Sequence, residues 1–162
     1  MAEANPLLKA KYLHTSYVTN RFKEAAELLQ KRYNVRNFAD IGSAGFKNGE
    51  GLDVSLHIGY GYQEPIFVEL IEPISGPTEL YSDALKNAPS APLVWHHVCL
   101  QVPTSEDWQA IKKALIAEGT PIAIEMQGGN MLHADYRKTM GHTIEYLVCD
   151  DEVTQFHDSL RK

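Results

Sequence analysis

The sequence predicts an α+β protein built from two βαβββ modules. Three observations carry that expectation. The order strand, helix, strand, strand, strand can be read twice along the chain. A segment with four prolines, Pro73, Pro77, Pro89 and Pro92, separates the two readings. Each half also has a histidine in its opening strand and a glutamate in its closing strand, at matching places. An internal repeat says more about architecture than any single motif does.

The first half opens with Tyr12 to Thr19, a stretch rich in β-branched and aromatic residues and therefore a strand. Asn20 is placed to cap a helix in which Phe22, Ala25, Ala26, Leu29 and Tyr33 recur at helical spacing, and Asn34 closes it. Val35 to Ile41 reads as a strand. Gly42 to Gly51, with four glycines, reads as a loop or hairpin turn. In Leu52 to Tyr60 the apolar Leu52, Val54, Leu56 and Ile58 alternate with polar residues, as in a half-buried strand. Ile66 to Ile71 is the fourth strand, and Pro73 is expected to end it.

Between the halves, a short helical turn is expected around Leu80 to Leu85. The second half then repeats the order. Val94 to Val102 is a strand, and Thr104 or Ser105 caps a helix with the stripe Trp108, Ile111, Leu115 and Ile116, ended by Gly119. Pro121 to Met126, Met131 to Tyr136 and His142 to Val148 are strands, with a turn at Gly128-Gly129-Asn130. Val153 to Leu160 is a terminal helix. The expected division is a first module at 10–73, a linker at 74–93, a second module at 94–150 and a C-terminal helix within 151–162.

Composition limits the function classes. The 162 residues carry a formal net charge of −6, with 44% apolar residues, enough for one sizeable core. No basic cluster marks a nucleic-acid site or an anionic membrane surface. No apolar run approaches the roughly 18 residues needed to span a bilayer. Only Cys99 and Cys149 occur, and no signal-peptide pattern is visible, so free thiols and a cytoplasmic location are expected. The expected partner is a small-molecule substrate, with neither nucleic acid nor membrane.

Residues two apart on a strand share a face. His14 therefore faces with Ser16 and Val18, and His97 with Cys99 and Gln101, while Val98, Leu100 and Val102 make the opposite face apolar. Glu69 lies with Phe67 and Ile71, and Glu145 with Thr143 and Leu147. A single histidine opening a strand is ordinarily a satisfied core residue. Two carboxylates set among apolar neighbours are costlier, several kcal/mol each if unpartnered. One cation would relieve both. Two imidazoles and two carboxylates suit a divalent zinc, nickel, cobalt, manganese or iron ion, leaving further positions for water or substrate oxygens.

At these residues the chain resembles the vicinal oxygen chelate superfamily, and most of all its methylmalonyl-CoA epimerase and glyoxalase I (lactoylglutathione lyase) members. VELIEP at 68–73 is similar to the closing strand of a first module. HHVCLQV at 96–102 is similar to the strand opening the second, with His97 rather than His96 as ligand, and GHTIEYL at 141–147 to its closing strand. The resemblance covers roughly residues 10 to 150. It implies a curled mixed sheet around an open cleft, frequent homodimers, and one metal held by His14, Glu69, His97 and Glu145. It also implies an isomerase, epimerase or lyase that moves a proton beside a chelated carbonyl, with Glu145 or Glu69 as base. Two other activities occur on the same fold: extradiol dioxygenase with iron(II), and metal-free binding. Glu69 argues against the first, as a fourth ligand, and the full ligand set against the second. No arginine and lysine cluster for coenzyme A or glutathione is evident. Tyr60, Tyr62, Trp95, Met126, Met131 and Leu132 could line an apolar pocket, and His57, His133 and His142 are candidate substrate or supporting contacts.

Overall fold

The computed structural model describes residues 5–162. After a 3₁₀ turn at Pro6–Lys9 come β1 (Lys11–Val18), α1 (Phe22–Arg32), β2 (Arg36–Lys47), β3 (Asp53–Gln63), β4 (Ile66–Ser75) and α2 (Glu79–Asn87). The chain continues with β5 (Val94–Val102), α3 (Ser105–Ala117), β6 (Ile122–Glu125), β7 (Met131–Asp135), β8 (Thr143–Val148) and α4 (Asp151–Leu160). The eight strands form one mixed sheet in the order β2-β3-β4-β1-β5-β8-β7-β6.

That order is symmetric about the β1–β5 junction. Each half pairs its first strand in parallel with its last, β1 with β4 and β5 with β8, and β1 meets β5 antiparallel. The sheet curls until its edges touch at one corner. Asn48, after β2, bridges Met126, after β6, and the Gln127 N–H donates to the Lys47 carbonyl at 2.7 Å.

Side-chain alternation gives the curl two different faces. On the outer face, Phe22, Ala25, Ala26 and Leu29 of α1 pack on Val68 and Leu70 of β4. Trp108, Ile111 and Leu115 of α3 pack on Val102, Leu132, Ala134 and Tyr146. The inner face carries Glu69, His133 and Glu145, the odd-numbered neighbours of those core residues. α2 and α4 lie against the inner side, with Tyr81 of α2 and Phe156 and His157 of α4 reaching the cavity.

Several local expectations are corrected. Asn20 does not cap α1. Arg21 is the N-cap residue, and Thr19 Oγ1 accepts the Arg21 N–H instead. Thr104 caps α3 by accepting the Asp107 N–H. Gly42–Lys47 is strand, not loop. Gly42, with φ of 79°, sits at a bulge where the pairing with β3 shifts register, and Asp40 accepts its N–H. The glycines therefore bend a strand rather than end it. β4 runs through Pro73 to Ser75 because β1 stops pairing with it at Ile71. Beyond that point β4 is an edge strand, where the missing proline N–H costs no ladder bond. The helical turn expected near Leu80 is a nine-residue helix.

Candidate metal centre

The four central strands bring His14, Glu69, His97 and Glu145 together. Their registers are equivalent in the two halves. Ser16 stands opposite Glu69 across β1–β4, and Cys99 opposite Glu145 across β5–β8. Across the junction, His14 faces Cys99 and Ser16 faces His97. All four side chains are buried, and one donor atom from each lies within 4.8 Å of every other.

Imidazoles and carboxylates alternate around this cluster. His14 Nε2 is 3.4 Å from Glu69 Oε2 and 3.3 Å from Glu145 Oε2, and His97 Nε2 is 3.7 Å and 3.2 Å from the same two oxygens. With bonds of roughly 2.0–2.2 Å, adjacent donors on an ion lie about 3.0–3.5 Å apart. Three of the four separations fall in that range, and His97 to Glu69 is slightly longer. Neither ring nitrogen of His14 has a hydrogen-bond partner among the described residues, although the ring is fully buried. Such an orphaned polar group is costly unless something else satisfies it.

Charge balance points the same way. Burial works against imidazolium at His14, yet Glu69 and Glu145 outweigh it and raise the pKa to about 9. Glu69 resists burial in turn, and its pairing with His14 holds it down to about 2. Burial also opposes ionisation of Glu145, but the His14 and His97 rings keep it well below the usual carboxylate range. One proton on His14 sets a single positive charge against two carboxylates, whereas a divalent ion would balance both.

His96 adds a further constraint. Its Nε2 lies 2.8 Å from the Leu80 carbonyl, which can only accept, so Nε2 carries a hydrogen and donates. Burial, with His97 beside it, pushes its pKa down to about 4, so the ring is neutral and Nδ1 accepts. His96 Nδ1 lies 2.7 Å from His97 Nδ1, which therefore donates. With Nδ1 engaged by His96, His97 aims Nε2 at the cluster, the nitrogen a metal ion would use. His97 faces the cluster and His96 does not, yet His96 is tied to the site through its neighbour. Sequence spacing alone gave no signal for that bond.

Other residues sort cleanly. Ser16 Oγ and Tyr60 Oη both donate to Glu69, a role for which the sequence offered only a shared strand face in the case of Ser16 and none for Tyr60. His133 stands opposite Glu145 across β7–β8, with Nδ1 3.2 Å from Thr143 Oγ1 and Nε2 3.5 Å from Tyr81 Oη. Burial, then the neighbouring His97, push its pKa down to about 3. His57 and His142 lie elsewhere, His57 bonded to Asp40 and stacked on Phe22, His142 bonded to the Met140 carbonyl. A cavity of about 480 Å³ opens beside the cluster. Of the expected lining residues, Tyr60, Met126 and Met131 reach it, while Tyr62, Trp95 and Leu132 do not.

Curled sheet, module order and register together define the vicinal oxygen chelate fold. Solved structures bear this out at the level of fold. A methylmalonyl-CoA epimerase variant from Streptomyces coelicolor in complex with 2-nitronate-propionyl-CoA superposes with a TM-score of 0.58 at 11% identity, over 87% of this chain and 95% of that one. The epimerase from Mycobacterium tuberculosis gives 0.55 at 12% identity, covering 90% and 91% of the two chains. A hypothetical protein from Bacillus halodurans gives 0.54 at 15%, covering 88% and 96%. No family model matches the sequence. No curated protein sequence matches it either.

Proposed function

We propose that this protein is a divalent-metal-dependent isomerase, epimerase or lyase that moves a proton on a carbon next to a chelated carbonyl. The observation that carries this reading is the unequal fastening of two otherwise equivalent glutamates beside a cavity. Glu69 accepts hydrogen bonds from Ser16 and Tyr60. Glu145 has the two imidazoles beside it and no hydroxyl donor among the described residues. Glu69 is thereby held as a fixed ligand, and Glu145 is the carboxylate free to turn toward a substrate.

His14, Glu69, His97 and Glu145 would hold the ion, which would supply Lewis acidity to a substrate carbonyl and make the neighbouring C–H more acidic. The remaining work falls to the chain. The cavity walls exclude water and orient the substrate. Glu145 Oε2 takes the α-proton and returns it to the same carbon or a neighbouring one. The carboxylate needs only to rotate within hydrogen-bond reach, since general-base catalysis is limited by geometry first. Epimerases among the structural neighbours are consistent with this chemistry, and the coenzyme A thioester named for the Streptomyces complex is one substrate class to test. A homodimer and a cytoplasmic location remain part of the proposal. No described helix is long and apolar enough to cross a membrane.

The test has two stages. Elemental analysis of the purified protein should find one divalent ion per chain. α-Hydroxyketones and 1,3-dicarbonyls are then incubated with metal-loaded protein in D₂O, and proton NMR follows loss of the α-proton signal. Wild type should accelerate exchange. Glu145→Gln should keep its metal and lose on the order of 10²-fold in rate. Consumption of O₂ without exchange would overturn the reading.

A further inference from the structure

Resting on that reading, we infer that the substrate is a compact molecule with an uncharged, largely apolar body, rather than one carried on a phosphorylated or carboxylated handle. The cavity is a half-open space within the curl, and its volume of about 480 Å³ lies in the range that holds drug-sized ligands. Ile41, Phe46, Leu56, Ile58, Met131 and Phe156 are among the apolar residues of its wall. Among the described residues, no lysine or arginine lines it. A coenzyme A or glutathione handle leaving the cavity would find no cation on these walls to pair with its phosphates or carboxylates.

The α4 side of the cavity is hostile to anions. Glu152 and Val153, in the first turn of α4, are part of the lining. A helix N-terminus normally attracts phosphate through its free N–H groups. Here Asp150 already accepts the Val153 N–H, and Asp151 and Glu152 follow it. Glu152, the one of these carboxyl groups that lines the cavity, would meet an anionic tail with like charge, and Asp150 and Asp151 precede it in the chain. The metal cluster can take two substrate oxygens, and the walls offer dispersion and desolvation for the rest. Affinity should therefore grow with apolar length, at about 0.8 kcal/mol per buried CH₂, close to fourfold for each carbon added.

The experiment uses a homologous series: hydroxyacetone, 1-hydroxy-2-butanone, 1-hydroxy-2-hexanone and 1-hydroxy-2-octanone. Phosphate- and carboxylate-tailed analogues of the hexanone, and acetyl-coenzyme A, serve as anionic members. Binding is read by calorimetry on metal-loaded protein, and by displacement of Nile red, an uncharged apolar dye, from metal-free protein. The expected result is a several-fold gain in affinity per carbon, and at least tenfold weaker binding of the anionic members. Ile41→Arg, at the exposed end of the wall, and Phe156→Arg should each narrow that gap and weaken Nile red uptake. Anionic members binding as tightly as the neutral hexanone, or a flat series with no Nile red uptake, would overturn the inference. The two readings fail separately. If the series and the dye bind as expected but the protein takes up no metal, the apolar cavity stands and the metal-dependent function falls.

Discussion

In the first half of the sheet, Glu69 sits between two hydroxyl donors, Ser16 on β1 and Tyr60 on β3. At the equivalent register positions in the second half, Glu145 sits between Cys99 and His133. The histidines differ in the opposite sense. His97 is oriented through its Nδ1 by His96. The residue before His14 is Leu13, and His14 Nδ1 has no partner among the described residues. Each half thus fixes one donor firmly and leaves the other less constrained: carboxylate in the first, imidazole in the second. A symmetric scaffold gives matching positions to four donors, and the substitutions around them give those donors separate roles. A base must move while its fellow ligands stay put, so an unsymmetrical second layer is what the proposed chemistry needs.

The comparison can be broken or sharpened by substitution. The largest effect should come from the ligands themselves. His14→Ala and His97→Ala should each reduce metal uptake below detection in calorimetry with zinc or manganese. One variant that still binds at full affinity would end the equivalence of the halves. Next come the helices that brace each half. Trp108 of α3 is fully buried and donates through Nε1 to the Tyr146 carbonyl, next to Glu145, so Trp108→Ala should cost about 3–5 kcal/mol in urea unfolding. Leu29→Ala, in fully buried Leu29 of α1, should cost about 2–5 kcal/mol. Equal or reversed losses would show that α1 braces its half at least as strongly.

His96→Phe keeps the bulk beside Tyr81 but removes the acceptor for His97 Nδ1. Metal affinity should fall roughly 10- to 100-fold, as for other groups that orient metal-binding histidines, with one site per chain retained. Competition against a chromophoric chelator would measure it, and an unchanged affinity would remove His96 from the account. The smallest effect tests the glutamates. Cys99→Ser places beside Glu145 the hydroxyl that Ser16 gives Glu69. One extra hydrogen bond of about 1 kcal/mol should slow α-proton exchange about fivefold while leaving metal content unchanged. Faster exchange would mean that Glu145 gains from being held.

The sequence by itself determined most of the elements and the strand faces on which His14, Glu69, His97 and Glu145 lie. Alternation in Leu52 to Tyr60, the Trp108–Ile111–Leu115 stripe, and the matched histidine and glutamate positions all follow from periods of two and 3.6, which are local properties of the chain. The strand that continues past Pro73 was hidden, because whether a proline breaks a strand depends on which neighbour is still pairing there. So was the Asp40–Gly42 bulge, which carries the strand through glycines that locally signal a turn. The bond from His96 to His97, and the hydroxyls of Ser16 and Tyr60 on Glu69, needed the third dimension. His96 is oriented by a carbonyl on α2, and Tyr60 meets Glu69 only through the β3–β4 register. Sequence separation carries no information about such contacts. Packing of the curled sheet decides that one of two equivalent glutamates, Glu69, receives two hydroxyl donors, while Glu145 lies between Cys99 and His133.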